Sequence, residues 1–214
     1  DIINDITQNS KGEILVASSQ GLFKVIENKN SFSVEVIQTP LTGLAVKNIK
    51  ILNNGDIIYT TDIGIWLFKN NKYELIKGSN HISFNTILET INGEIWIGGR
   101  NGLYQISNQS LISKTAVVNS NILAIEEGIY NDLWLTTFQD GIIHVSIHDM
   151  KVSKVEAVNE PNQYSLANNP LQTIFKDKSN TLWIANKRGL LDTNLDSKNF
   201  KSLPIDKIGH VRTL

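Results

Sequence analysis

The sequence predicts an all-β fold, a β-propeller of about five four-stranded blades that is an excerpt of a larger ring. Three observations predict it. One motif recurs five times, its repeat length is about 40 residues, and its short apolar runs, rich in Ile, Val, Trp and Thr, are bounded by Asn, Gly, Asp and Ser. The sequence has no amphipathic run of about 12 or more residues with the helical period of about 3.6, so the repeats are interpreted as β-blades rather than helix pairs.

The repeating unit has four parts. Two apolar residues three positions apart come first, followed by a polar turn, a short apolar strand, and a turn that ends in glycine plus an aliphatic residue. In the third unit these parts are Phe84 with Ile87, Asn92-Gly93, Ile95-Trp96-Ile97 and Gly102-Leu103. The equivalent late glycines, one per unit, are Gly21, Gly64, Gly102, Gly141 and Gly189.

Each part of the unit has a physical reason. A pair such as Asn54-Gly55 supplies the positive φ of a tight hairpin turn, and the late glycine permits close approach of backbone. A run such as Leu133-Trp134-Leu135 is apolar on both faces, which suits a strand buried between blades. Three tryptophans repeat at this position and are expected to pack between blades rather than to form a sugar-stacking platform: Trp96, Trp134 and Trp183. Trp66 follows Gly64-Ile65 in the third strand and is expected in the core.

The whole chain, residues 1–214, is expected to be a single propeller fragment. Its repeat units span approximately residues 1–43, 44–81, 82–119, 120–168 and 169–208. A sixth unit is expected to start at residues 209–214, because Val211-Arg212-Thr213-Leu214 matches Leu171-Gln172-Thr173-Ile174. The alternative is a closed five-bladed ring, in which the last four residues would have another role. An open arc of blades leaves blade faces unburied, which predicts dimerisation or aggregation.

Composition excludes several classes of protein. Lys and Arg total 20 and Asp and Glu total 21, so the net charge of -1 and the lack of a basic stripe argue against a nucleic-acid partner. The chain has no cysteine, which excludes a disulfide scaffold and Cys-based zinc or redox chemistry. Its 41% hydrophobic content excludes disorder, and no run of about 18 apolar residues is present to span a membrane.

The fifth unit carries the most specific stretch. An Asn-x-x-Ser-Leu-x-Asn-Asn lead-in at residues 162–169 precedes Asp177 and the run Leu182-Trp183-Ile184. With its counterparts in the other units, this stretch resembles the two-component regulator propeller repeat, whose pattern is I-x-x-I, D-x-x-G, L-W-I-G-T and G-L-x-R-Y. The sequence departs from that pattern where Gly98-Gly99, Thr136-Thr137 and Ala185-Asn186 replace Gly-Thr, and where the first two units lack the Trp.

This resemblance implies a function. In that family, paired seven-bladed propellers lie outside the cytoplasmic membrane and precede an Ig-like domain, a membrane helix and a histidine kinase. The resemblance thus implies the periplasmic, oligosaccharide-sensing part of an inner-membrane hybrid two-component sensor of the Bacteroides type, without enzymatic activity or cofactor in this region. Its implied partners are an oligosaccharide ligand, the remaining blades and Ig-like domain of the same protein, and a second copy in a homodimer.

Two other classes remain open. One is a structural or protein-binding propeller, such as a scaffold or adhesin. The other is a carbohydrate-active lyase or glycosidase, which would need convergent acids or a Tyr-His pair. The sequence has no nucleophile elbow, P-loop or H-E-x-x-H motif, and we expect neither catalytic nor metal-binding residues.

Two motifs with a chemical appearance are expected to be structural. His144 and His148 are four apart on a strand pattern, about 13 Å, which is too far for one metal, so they are interpreted as surface histidines. The stretch from Asp177 to Trp183 resembles a sialidase Asp-box, in which the Asp and Trp stabilise a turn away from the chemistry.

Ligand-binding residues are expected in the turns between the second and third strands, because in a propeller these turns share one face with the connections between blades. Cationic side chains there could bind carboxylates or sulfates of an acidic sugar, and an aromatic ring could stack on a sugar ring. The predicted ligand-binding residues are Arg100, Asn101, Phe138, Gln139, Asp140, Lys187 and Arg188.

Overall fold

The computed structural model describes residues 2–113, 119–155, 170–186, 189–195 and 199–204. All regular secondary structure in these ranges is β-strand. None of these residues forms a helix long and apolar enough to cross a membrane.

The strands fall into groups of four along the chain. The first two groups are β1 Ile3–Gln8, β2 Ile14–Ser18, β3 Gly21–Asn28, β4 Ser31–Val36, β5 Val46–Ile51, β6 Ile57–Thr61, β7 Gly64–Lys69 and β8 Lys72–Leu75. The next two are β9 Phe84–Glu89, β10 Ile95–Gly99, β11 Gly102–Ser107, β12 Ser110–Ser113, β13 Ile122–Glu127, β14 Asp132–Thr137, β15 Ile142–Ser146 and β16 Val152–Val155. The last is β17 Leu171–Lys176, β18 Thr181–Asn186, β19 Gly189–Asn194 and β20 Asn199–Pro204.

Each group of four strands forms its own sheet, in which neighbours in sequence are neighbours in space. Adjacent strands run antiparallel, as in β5 with β6 and β6 with β7. The prediction of an all-β chain built from five four-stranded propeller blades is therefore confirmed. We number the blades one to five in chain order.

The chain packs as two compact units, and their boundary passes through blade three. Unit 1 contains Asp1–Ile97 and Gln105–Ile112, and unit 2 contains Gly98–Tyr104 and Ser113–Leu214. Unit 1 thus holds blades one and two, and unit 2 holds blades four and five.

In unit 1, blade one packs on blade two through opposite sheet faces. The side of blade one that carries Leu15, Ala17 and Leu22 is buried in one cluster with Val46 and Ile49 of blade two. We call the first side the forward face of a blade and the second side its rear face. Tyr59 and the half-buried Trp66, Phe68 and Tyr73 complete the rear face of blade two.

In unit 2, blades four and five repeat this arrangement. Trp134 and Ile142, on the forward face of blade four, share a buried cluster with Leu171, Ile174 and Ile184 on the rear face of blade five. Each of these five residues is at most 6% exposed. Burial of about 25 cal/mol per Å² of apolar surface makes these face-to-face contacts the main stabilising term of each blade pair.

Side chains on the first strands also join the blades of unit 1. The Asp5 Oδ2 atom accepts hydrogen bonds from the Ile49 backbone N at 2.9 Å and from Asn48 Nδ2 at 2.6 Å. Asn48 Oδ1 in turn accepts a bond from the Ile87 backbone N at 3.0 Å. Burial raises the pKa of the Asp5 carboxyl above its ordinary value, and the Ile49 hydrogen bond opposes that rise.

In every blade, the turn between the first and second strands has a residue of positive φ at the same position, as the Asn-Gly pattern predicts. The residues and angles are Gly12 at 80°, Gly55 at 87°, Gly93 at 78°, Asn131 at 56° and Asn180 at 59°. Glycine and asparagine tolerate this left-handed region, and other residues rarely do.

We expect Gly21→Ala to lower the free energy of unfolding by about 1–3 kcal/mol. The φ of Gly21 is +122°, and an added Cβ would lie 3.1 Å from the Leu41 carbonyl oxygen and 3.3 Å from Thr42 Cα. Gly43→Ala is the control, because Gly43 has a φ of +82° with no atom within 4 Å of the added Cβ. It should cost only about 1 kcal/mol. If urea unfolding showed the same loss of unfolding free energy in both variants, the close approach of Gly21 to the Leu41 carbonyl would not be what destabilises Gly21→Ala.

Candidate functional site

The turn between the second and third strands of a blade lies beside an inter-blade connection. In blade two the Ile63 O accepts a bond from the His81 N, in the connection to blade three, at 2.9 Å, and in blade one the Ser19 N donates at 2.9 Å to the O of Ile2, which precedes β1. In blade four the Phe138 N donates to the Asn121 O at 2.9 Å. We call this end of each blade its connection end. The turns between the second and third strands lie there, which is where ligand-binding residues were expected.

A polar cluster occupies the connection end in unit 1, between blades two and three. The Lys47 ammonium donates to Asp62 Oδ1 at 2.7 Å, to Ser83 Oγ at 2.9 Å and to Asn85 Oδ1 at 3.2 Å. Ser83 Oγ also donates to Asp62 Oδ1 at 3.1 Å. The Asp62 side chain remains 56% exposed, and the neighbouring Ile63 is 43% exposed. The cluster therefore places fixed polar groups beside an exposed apolar side chain.

A β-bulge positions Lys47. The pairing of β5 with β6 shifts register between Val46 and Asn48, which leaves Lys47 as the extra residue. The same shift occurs between Ile122 and Ala124 in blade four and between Leu171 and Thr173 in blade five. Bulges re-aim side chains and are frequent near functional sites. Lys47, Ser83 and Asn85 were not predicted. Lys47 and Asn85 each follow the first apolar residue of an opening pair, Val46 or Phe84, and this polar position was the available signal.

A second cluster lies at the connection end of blade four in unit 2. Phe138 is 46% exposed there, and Gln139 is exposed beside it. The Asp140 carboxylate accepts hydrogen bonds from Ser120 Oγ at 2.5 Å and Lys154 Nζ at 2.8 Å. The Asp140 backbone N donates to Thr137 Oγ1 at 2.9 Å, which fixes the turn.

The charge of Asp140 is stabilised by its partners. The hydrogen bond from Lys154 and then that from Ser120 hold the pKa of the Asp140 carboxyl below its ordinary value. Asp140 is therefore ionised at neutral pH and can act as a hydrogen-bond acceptor. The three predicted residues of this turn are thus brought together by the structure.

The other predicted ligand residues belong to other turns of the sequence. Arg100 and Asn101 are exposed at the turn between β10 and β11. Lys187 and Arg188 lie outside the described residues. A ligand-binding role for these four residues stays a prediction.

In blade five, Asp177 holds a turn and a tryptophan, as the Asp-box resemblance suggested. Its Oδ1 atom accepts bonds from the Ser179 N at 2.8 Å and the Thr181 N at 3.0 Å, and its Oδ2 atom accepts the Trp183 indole N–H at 2.8 Å. The bond from Trp183, followed by that from the Thr181 N, lowers the pKa of the Asp177 carboxyl. The structural interpretation of this motif is confirmed.

In blade four, Asp132 likewise holds a turn and a tryptophan, but it lies two residues before its tryptophan, whereas Asp177 lies six residues before Trp183. Its Oδ2 atom accepts the Trp134 indole N–H at 3.0 Å and contacts His144 Nε2 at 2.7 Å, and its Oδ1 atom accepts the Tyr130 N at 2.9 Å. Asp132 is 5% exposed. Burial raises the pKa of Asp132, but the bonds from His144, the Tyr130 N and Trp134 outweigh it and leave the pKa below its ordinary value.

His144 differs from the surface histidine that the sequence suggested. Its side chain is only 24% exposed, and its ring lies 4.8 Å from that of Trp134. His148 is exposed, as expected. His144 Nδ1 also lies 3.3 Å from Ser153 Oγ, which gives a Ser-His-Asp series. Because Asp132 is engaged with Trp134 and the Tyr130 backbone, we interpret this series as a structural network.

Trp134 lies in the buried cluster between blades four and five, as expected. Trp96 is 1% exposed and Trp134 is 4% exposed, while Trp183 is half-buried. Trp66 is half-buried against the core of unit 1. Among the described residues, no group of three or more His, Asp or Glu residues could hold a metal ion.

Comparison with known proteins gives matches among solved structures alone. No family model and no curated protein matches the chain. The extracellular domain of the hybrid two-component system BT4673 from B. thetaiotaomicron superposes with a TM-score of 0.75 at 20% identity, over 95% of this chain and 28% of that one. The corresponding domain of BT3049 gives a TM-score of 0.72 at 16% identity, over 94% and 28%. A catalytically inactive virginiamycin B lyase from Staphylococcus aureus with quinupristin gives 0.71 at 17% identity, over 97% and 71%.

These similarities establish the fold. The chain spans 28% of the length of each of the two sensor domains and 71% of the lyase. In fold, the chain is similar to the blades of extracellular domains from Bacteroides hybrid two-component sensors.

Proposed function

We propose that this chain is a ligand-sensing part of the periplasmic region of a hybrid two-component sensor, and that its connection ends bind an oligosaccharide. The observation that carries the proposal is the pairing of exposed apolar side chains with fixed polar groups at these ends, on blades similar to those of two such sensors. The kinase that would receive the signal lies outside this chain.

The chemistry of the two clusters suits a sugar. A pyranose ring offers a C–H face that packs on an aromatic or aliphatic side chain, and hydroxyls that need fixed donors and acceptors. In blade four, Phe138 supplies the apolar surface and the Asp140–Ser120 pair supplies the polar groups. In unit 1, Ile63 and the Lys47–Asp62 pair play these parts.

The charge of the clusters favours a neutral sugar. Each cluster pairs one ammonium with one carboxylate, Lys47 with Asp62 and Lys154 with Asp140, so neither cluster adds net charge. A carboxylated or sulfated sugar would instead depend on the exposed Arg100, or on Lys187 and Arg188. Binding would bias the arrangement of two sensor protomers by its differential affinity for two states, with the Ig-like domain and the homodimer transmitting the change.

We expect Phe138→Ala to weaken oligosaccharide binding by tenfold or more, because the ring supplies the stacking surface. The measurement is calorimetric titration against defined neutral and acidic oligosaccharides. Tyr130→Ala is the matched control, because Tyr130 is a 68% exposed aromatic residue at the opposite end of the same blade and uses only its backbone N to bond Asp132. It should leave binding unchanged.

The rival functions give different results in the same experiment. Lack of binding to every oligosaccharide would favour the protein-binding scaffold or adhesin. Cleaved product would favour a lyase or glycosidase. Equal losses in Phe138→Ala and Tyr130→Ala would place the ligand elsewhere than the connection end of blade four.

A further inference from the structure

A cavity of about 260 Å³ lies in unit 1 between blades two and three. Its wall includes Ile58 and Leu67, which are cross-strand partners in blade two, and Ile95 and Ile106 of blade three. The turn between β5 and β6 and the turn between β11 and β12 border it. Because each strand separates these turns from the connection end, the cavity lies at the opposite end of the blades.

The cavity has an apolar interior and a charged rim. Ile58 is 1% exposed and Leu67 is 5% exposed in the interior. At the rim, the Asp56 side chain is 17% exposed and the Lys69 side chain is 41% exposed. The Lys69 ammonium lies 3.4 Å from Asp56 Oδ2, which also accepts a hydrogen bond from Asn54 Nδ2 at 3.0 Å. The cavity therefore joins a buried aliphatic surface to one carboxylate and one ammonium.

Blade two departs at this place from the pattern of three other blades. In those blades, the acidic residue at or next to the start of the second strand bonds to a polar residue three positions after the late glycine. These pairs are Glu13 with Lys24, Glu94 with Gln105 and Asp132 with His144. In blade two, Leu67 occupies the polar position, so the acid Asp56 is left to Lys69, two residues further along β7. Their separation exceeds the about 2.7–3.2 Å of a well-formed N–H···O hydrogen bond, so both charges are held loosely and can turn to a ligand.

The space is open because blade three lacks the aromatic residues that fill the equivalent space between blades one and two. There, Phe68 and Tyr73 of blade two pack on the shared cluster, with their ring centroids 4.7 Å apart. Phe68 lies four residues after its late glycine, and Tyr73 is the second residue of β8. The matching residues of blade three are the aliphatic Ile106 and Leu111. The smaller side chains leave part of the cleft unfilled, whereas protein interiors otherwise pack to high density.

We propose that this cavity binds a free α-amino acid with an aliphatic side chain, of the size of leucine. The aliphatic side chain packs on Ile58 and Leu67, the Asp56 carboxylate accepts from the ligand ammonium, and the Lys69 ammonium donates to the ligand carboxylate. An α-amino acid carries both charges on one carbon, which matches two charged groups that lie side by side. A ligand with a single charge would leave one rim group desolvated without a partner. The volume is just below the about 300–1,000 Å³ of pockets for drug-sized ligands, so the ligand is small.

The test is calorimetric titration of the 214-residue chain with L-leucine and with three analogues, each of which lacks one part of it. L-leucine should bind saturably at one site per chain. The analogue 3-methylbutylamine lacks the carboxylate and 4-methylpentanoate lacks the ammonium, and each should bind at least about tenfold more weakly. Glycine, which lacks the aliphatic side chain, should show no measurable binding.

Two variants assign the binding to this cavity. Lys69→Met keeps the apolar stem and removes the ammonium, so it should weaken L-leucine binding by about tenfold or more and bind 3-methylbutylamine no more weakly than the wild type does. Ile106→Phe introduces the residue type that Phe68 supplies between blades one and two, and it should abolish binding by filling the cavity. Ile91→Phe is the matched control, because Ile91 is 87% exposed in the turn between β9 and β10 of the same blade. It should bind L-leucine like the wild type.

Failure of L-leucine to bind the wild-type chain would overturn the proposal. Binding of either singly charged analogue as tightly as L-leucine would do the same, as would L-leucine binding that survives Ile106→Phe in a folded chain. If Ile106→Phe does not fold, the opposite responses of the two ligands to Lys69→Met decide the question. Phe138→Ala should bind L-leucine like the wild type, so this proposal and the oligosaccharide proposal fail separately.

Discussion

Replacing Trp96 by alanine is expected to lower the free energy of unfolding by about 3–5 kcal/mol. Trp96 lies on β10 and is the largest of the fully buried side chains, at 1% exposed. Deleting its indole removes a large apolar surface from the core and leaves a cavity that neighbouring strands can fill only in part. Urea unfolding monitored by circular dichroism measures the loss.

The conservative variant separates packing from hydrogen bonding. The Trp96 indole N–H makes no hydrogen bond to any described residue, so Trp96→Phe should cost only the lost packing of the smaller ring and therefore less than Trp96→Ala. Trp134→Phe should cost more than Trp96→Phe, because the Trp134 N–H is bonded to Asp132. A Trp96→Phe loss as large as that of Trp96→Ala would show that ring packing is not what Trp96 contributes.

Asp132→Ala is expected to cost about 2–4 kcal/mol of unfolding free energy. The substitution removes the acceptor of the Trp134 indole N–H, of the Tyr130 N and of the His144 ring nitrogen, and two of these bonds lie in the interior of the blade. Gly128 supports this site, since a Cβ at that position would overlap the Asp132 carboxylate. Gly128→Ala should therefore also be destabilising. Asp149→Ala, at an exposed turn of the same blade, is the control and should cost under about 1 kcal/mol.

The Asp132 effect should depend on pH with a defined sign. Its folded pKa lies below the ordinary value of 3.8, so the folded state favours the ionised carboxylate. The stabilisation is therefore present above about pH 4 and is lost as the pH falls through the folded pKa. The stability difference between wild type and Asp132→Ala should shrink between pH 7 and pH 3. A difference that grows on acidification would contradict the assigned hydrogen bonds.

The architecture could be predicted from the sequence because its signals are local. Positive-φ turns at Gly55 and Asn180, and apolar runs around Trp96 and Trp134, depend on residues within one hairpin. A single copy of the pattern would predict a β-blade only weakly, and five copies at similar spacing make the prediction strong. The exposed turn of Phe138 could be located for the same reason, since it follows the second strand of its repeat.

The clusters could not be predicted because they join distant parts of the chain. The residues around Lys47 come from two blades, with Ser83 and Asn85 at separations of 36 and 38 residues. The bulge that re-aims Lys47 is a one-residue shift in register, which periodicity does not reveal. His144 was misjudged because its partner Asp132 is 12 residues away on the neighbouring strand.

The measurement that tests the central claim most directly is calorimetric titration of the wild-type chain, Phe138→Ala and Tyr130→Ala with the same set of oligosaccharides. The account predicts that one class of sugar binds the wild type and Tyr130→Ala alike, and binds Phe138→Ala at least tenfold more weakly. Binding that Phe138→Ala leaves unchanged would contradict a site at the connection end of blade four.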